Sequence, residues 1–129
     1  MHWATSYIGM PWVRHEHDCW GFLVRVHREQ FNHNLPEISI DALNIKDCVE
    51  ALLHHPHHAY WQPVEQPQEG DAVLMSQNKL PTHVGVWVEA GNGGVLHCVQ
   101  RAGVIFTAKS QLHRVGYHLL GYYRYQENL

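Results

Sequence analysis

Long apolar runs are missing from this sequence. None approaches the roughly 18 residues that a spanning helix needs, so no membrane span is expected. Basic residues are also scarce. Nine Lys and Arg stand against twelve Asp and Glu, the formal net charge is −3, and no basic stripe is present. Nucleic-acid binding at neutral pH is therefore not suggested. Cysteine is limited to Cys19, Cys48 and Cys98, an odd number at wide spacing. That pattern argues against a disulfide framework and for at least one free thiol. Paired Cys-x-x-Cys zinc ligands are absent. There is no basic segment followed by an apolar one at the N-terminus, so no secretory signal is visible. The expectation is synthesis in the cytoplasm without self-directed export.

What remains is globular in composition, with 45% hydrophobic and 16% charged residues over 129 positions. One compact domain, 1–129, accommodates this length. Thirteen histidines are the unusual feature. They would add positive charge steeply as pH falls through about 6.5.

Apolar residues at 3, 4, 7 and 8 predict a short helical segment, ended by Gly9-Met10-Pro11. Asp18 has the chemistry of an N-cap, and Cys19, Phe22, Leu23 and Val26 recur at helical spacing. A helix over about 19–32 is predicted, ended by Asn32-His33-Asn34, and a second over about 41–54, stopped by Pro56. The second half reads as strands: Ala72–Met75, His83–Val88, Val95–Val99, Val104–Thr107 and Leu119–Tyr125. Gly91-Asn92-Gly93-Gly94 is a hairpin turn signal. Helices first and strands afterwards imply an α+β fold, N-terminal helices on a small antiparallel sheet.

The chemistry centres on His17-Asp18-Cys19-Trp20-Gly21. If Asp18 caps the helix, Cys19 sits in its first turn. There the partial positive charge of the helix end favours the thiolate, the nucleophilic form. A core cysteine at a helix start is the bland alternative. What separates the two is a base. His83 opens Thr82-His83-Val84-Gly85-Val86-Trp87-Val88 on a strand, and Gly85 lies on its face, where it would clear space for substrate. A turn around Gly91 makes the numbers of facing residues sum to about 182. His97 then faces Gly85, diagonal to His83 and on the same face, where it can bond the distal nitrogen of His83 and fix its tautomer. A slip of one residue would put it on the other face.

These residues, in this order, resemble the NlpC-type cell-wall peptidases, a papain-like group. The matching stretches are Tyr7-Ile8-Gly9-Met10-Pro11-Trp12, Asp18-Cys19-Trp20-Gly21-Phe22, Pro67 to Val73, His83-Val84-Gly85-Val86-Trp87 and Val95-Leu96-His97. The look is that of peptidase domains in long-tailed phage tail-assembly proteins, which have an aromatic after the Cys and a segment like Gly121-Tyr122-Tyr123-Arg124. The resemblance implies a papain-like fold and a triad of Cys19 as nucleophile, His83 as base and His97 in third position. It implies cleavage of peptidoglycan stem peptides, typically between D-glutamate and diaminopimelate, with no cofactor or metal. It also implies phage tail proteins as partners, and a virion tail acting at the bacterial cell wall. Two departures stand out. Trp20 replaces the usual Ser after the Cys, and Trp12-Val13-Arg14-His15 replaces the upstream Tyr and Gly-Gly loop. The oxyanion and substrate site would then draw on Trp12, His17, Asp18, Trp20 and Gly85, with the Cys19 backbone N–H as a donor.

Other readings compete. His54-His55-Pro56-His57-His58 has the composition of an adventitious zinc or nickel site, with a solvated loop favoured. His15-Glu16-His17 lacks the zinc-protease spacing. A zinc protein using Cys19, His83 and His97, and a non-catalytic structural or adaptor domain of a phage tail, both remain open on residues alone. Trp12, Trp20, Trp61 and Trp87 are expected mostly in the core.

Overall fold

The computed structural model of the chain describes residues 2–13, 17–33, 61–77 and 80–125. The helix expected over 41–54, Cys48, His15 and the His54–His58 stretch lie outside those residues.

A short 3-10 turn, Trp3–Ser6, opens the chain where the helical pattern was expected. Helix α1 then covers Cys19–Gln30. Asp18 starts it: its backbone is extended, and its carboxylate accepts the Gly21 N–H at 2.8 Å. This satisfies one of the free donors of the first turn. The helix stops two residues short of the expected 32, because Asn32 enters the left-handed region at φ 56. Phe22, Leu23 and Val26 are fully buried on one stripe. Each contributes about 1.5–3 kcal/mol of burial.

Six strands follow: β1 Trp61–Val64, β2 Ala72–Gln77, β3 Leu80–Val88, β4 Gly94–Val99, β5 Gly103–Ala108 and β6 His118–Tyr125. They form one antiparallel sheet in the order β1-β6-β2-β3-β4-β5. A helix on an antiparallel sheet is the α+β architecture expected from the sequence. Strand β1 was not foreseen, because Pro63 argues against a strand. It is tolerated at the sheet edge, where β1 pairs with β6 alone.

Side chains alternate across the sheet and divide its two faces. Val84, Val86, Val88, Leu96 and Cys98 pack under α1 with Cys19, Phe22 and Leu23. Val73, Met75, Trp87 and Val95 form the opposite layer with Leu112, Tyr117 and Tyr122. Leu112 comes from a 3-10 helix, Lys109–Val115, that lies against β4, β5 and β6. Asp71, just before β2, ties this frame to β6. It accepts from Arg124 Nε at 3.1 Å and Nη2 at 2.9 Å, and also from the Gln68 N–H at 2.7 Å. Gly70-Asp71 and Gly121-Tyr122-Tyr123-Arg124 are thus two halves of one bridge.

Candidate active site

The β3–β4 ladder pairs Val86 with Leu96, Trp87 with Val95 and Val88 with Gly94. Each sum is 182, the register expected from the Gly91 turn. Both turn glycines, Gly91 at φ 61 and Gly93 at φ 90, take the left-handed conformations such a turn needs. Beyond the Val86–Leu96 rung, β3 continues against β2 and β4 against β5. His83 and His97 stand in that outer region and are joined through their side chains. His83 also pairs with Met75, next to a register shift between Met75 and Ser76. Bulges of this kind re-aim neighbouring side chains.

His83 Nε2 lies 2.8 Å from His97 Nδ1, and His97 Nε2 lies 2.9 Å from Thr107 Oγ1. His97 is fully buried and His83 nearly so. Each contact needs one donor and one acceptor, so the protons are coupled along the row. For His83 to keep a lone pair on Nδ1, its proton sits on Nε2 and is donated to His97 Nδ1. His97 then carries its own proton on Nε2 and donates it to the Thr107 oxygen. That assignment leaves Nδ1 of His83 free to take a proton. Burial pushes His83 well below its ordinary range, and the nearby His97 pushes it further. Burial lowers His97 to about 4. The resting imidazoles are therefore neutral.

Tyr117 completes this layer. Its ring is stacked on His83, with centroids 4.8 Å apart and planes 24° apart. Burial, and after it the charge of Cys19, push the Tyr117 phenol above its usual range. Cys19, 2% exposed in the first turn of α1, thus acts electrostatically on the ring that stacks on His83. Sequence reasoning missed Thr107 and Tyr117. The two-residue period of the β4–β5 hairpin could have put Thr107 on the His97 face. Tyr117 follows an irregular 3-10 segment that carries no periodic signal.

Against known proteins, the model of the NlpC/P60 family matches residues 6–124, nearly the whole chain. The chain belongs to the NlpC/P60 family. That family is one of cell-wall peptidases of the cysteine-peptidase type. No curated protein matches the chain.

Several expected substrate-site residues have structural employment instead. Trp20 is buried edge-on to Trp61, with centroids 6.5 Å apart, and so belongs to the core. Asp18 is buried and spends its carboxylate on the helix cap. His17 Nδ1 lies 2.8 Å from the Pro11 carbonyl, to which it donates, and Nε2 faces Arg25 Nη1 at 3.4 Å. With both nitrogens engaged, His17 has no donor for an oxyanion. Gly85 stands where β3 and β4 come close. A Cβ there would collide with Val95 Cγ1 and meet His97 Cβ at 3.0 Å, so the missing side chain lets β4 approach. Trp12 is half-buried, packed against the core beside the Val13–His17 bridge.

Cys98 is the other described thiol. Burial, then the charge of Asp18, push it to about 12, so it is a poor nucleophile at neutral pH. The zinc reading of an NlpC/P60 site needs Cys19, His83 and His97 around one ion. Among the described residues no group of three or more His, Cys, Asp or Glu is arranged for that. No described helix is long and apolar enough to cross a membrane.

Proposed function

We propose that this NlpC/P60 chain, acting as one domain over 1–129, is a cysteine endopeptidase that hydrolyses peptidoglycan stem peptides. The bond in question is the one between D-glutamate and diaminopimelate, and the setting is a phage tail working on the bacterial wall. The observation that carries the chemistry is the His83–His97–Thr107 row, which supports a neutral His83 with Nδ1 open. Cys19 is the thiol for it, because the helix end favours its thiolate.

The reaction runs in two halves. His83 Nδ1 takes the proton from the Cys19 sulfur as the sulfur attacks the scissile carbonyl. The backbone N–H of Cys19, at the start of α1, faces the developing oxyanion. Trp12 contributes an indole N–H from the preceding loop. The imidazolium gives its proton to the leaving amine, and a thioester remains on Cys19. Water, deprotonated by the same His83, hydrolyses the thioester and frees the thiol. His97 holds the ring of His83 throughout and does not itself transfer a proton to substrate.

The test is digestion of defined muropeptides by the wild type and by Cys19→Ala, read by mass spectrometry. Cleavage at the D-glutamyl–diaminopimelate bond by the wild type alone supports the reading. Equal cleavage by a folded Cys19→Ala protein would end it.

A further inference from the structure

The mechanism above leaves one aromatic ring of the site without a task. Tyr117 is stacked on His83 and stands edge-on to His97, at 5.5 Å and 82°. Its place is built by the backbone. Gly116 takes φ 90 and closes the 3-10 helix, and the Tyr117 N–H donates to the Leu112 carbonyl at 3.1 Å. Leu112 is itself buried, so the ring is held from behind.

We propose that Tyr117 is a positioning residue for the base: its ring fixes the plane of the His83 imidazole and favours the imidazolium formed when His83 takes the Cys19 proton. The inference rests on the reading of His83 as the base for Cys19. Three titratable groups bear on it. His97 faces His83 from β4, Tyr117 faces it from the segment before β6, and Cys19 acts on the Tyr117 phenol from α1. Burial opposes charge on His83, and the neutral His97 offers only a lone pair. The face of an aromatic ring attracts a cation and has much less to offer a neutral imidazole. The attraction therefore grows as the proton arrives, which is when it affects rate. The ring, rather than the hydroxyl, is the working part, because the stacked geometry belongs to the ring.

The test is the pH dependence of Cys19 alkylation by iodoacetamide, followed at the Cys19 peptide by mass spectrometry so that other thiols do not interfere. Tyr117→Leu removes the ring. Its alkylation midpoint should move up by about half to one pH unit, with a rate at neutral pH lower by about three- to tenfold. The conservative Tyr117→Phe should rescue the wild-type profile. A fluorinated phenylalanine at 117 keeps the shape and weakens the negative face of the ring. It should move the midpoint in the same direction as Leu, and it serves if the Leu protein does not fold. An unmoved midpoint with the fluorinated ring overturns the inference, as does a Phe variant that behaves like Leu. Failure of the underlying reading looks different: His83→Ala would then label Cys19 with the wild-type profile.

Discussion

Thr107 Oγ1 lies 2.9 Å from His97 Nε2, on the strand next to the one that carries the histidine. The hydroxyl stands at the far end of a row whose near end is His83. It is buried, so no solvent replaces it readily. Thr107→Val keeps the shape and removes the oxygen. His97 Nε2 is then left without its partner, at a cost of about 1–3 kcal/mol in unfolding free energy. The tautomer of His83 is also less well held. Cys19 alkylation at neutral pH should slow by about tenfold, the equivalent of about 1.4 kcal/mol in barrier. Thr107→Ser should restore most of both. Denaturant midpoints and alkylation rates check this together. A Val variant as fast as the wild type would show that the hydroxyl holds nothing.

Gly85 tests the approach of β4 to β3. A methyl group there has no room against Val95 and His97. Gly85→Ala should destabilise by about 1–3 kcal/mol, the usual cost of overpacking. It should also lower activity by displacing His97. Val95→Ala removes the nearer clash, so Gly85→Ala/Val95→Ala should recover stability relative to the sum of the single changes. Strict additivity in thermal or urea unfolding would show that the clash is relieved elsewhere.

What could be read from the sequence was local chemistry. Asp18 and Cys19 announce a helix start, since a cap bonds within three residues of itself. The pairing of His97 with the His83 face followed from the short Gly91 turn, because a tight hairpin fixes its own register. Long-range partners were not legible. Trp20 sits beside Cys19 in sequence and looked like a site residue, yet its ring belongs to Trp61, forty-one positions on. His17 looked like an oxyanion donor, but Pro11 and Arg25 claim its two nitrogens. Tyr117 gave no signal at all. Its ring reaches His83 only after the 3-10 helix has turned the chain back over the sheet.

The bridge between Asp71 and Arg124 joins the start of β2 to β6. Asp71 is buried, while the Arg124 side chain is 31% exposed. Arg124→Met leaves the carboxylate with the Gln68 N–H as its described partner. The expected loss is about 2 kcal/mol, below the 3–5 kcal/mol of a fully buried pair because water reaches the arginine side. Asp71→Asn combined with Arg124→Met should cost less than the two single changes added together. Chemical denaturation of the four proteins gives the coupling. A coupling near zero would reduce the bridge to a surface contact.

Acid should unfold the protein, and the buried histidines give the sign. His27 is buried, with Nε2 2.7 Å from the Gly70 carbonyl and Nδ1 3.0 Å from His33 Nδ1. Burial pushes His27 to about 4, against a smaller opposing effect of the Gly70 hydrogen bond. His97 is lowered to about 4 and His83 well below its ordinary value, both by burial first. In the unfolded chain each titrates near 6.5. Their folded values are depressed, so the unfolded chain takes up protons first as pH falls. The stability they contribute is fully present above about 6.5 and is lost as pH drops from there towards about 4. In that window each group adds a slope of about 1.4 kcal/mol per pH unit. Urea unfolding at about pH 7.5, 6.5 and 5.5 should show stability falling mainly over the lower interval. His27→Gln removes one of the three groups and should flatten that slope by about 1.4 kcal/mol per unit, whatever it does to stability at neutral pH. A wild-type free energy that stays level from about pH 7.5 to 5 would mean that these imidazoles are not held neutral by the fold.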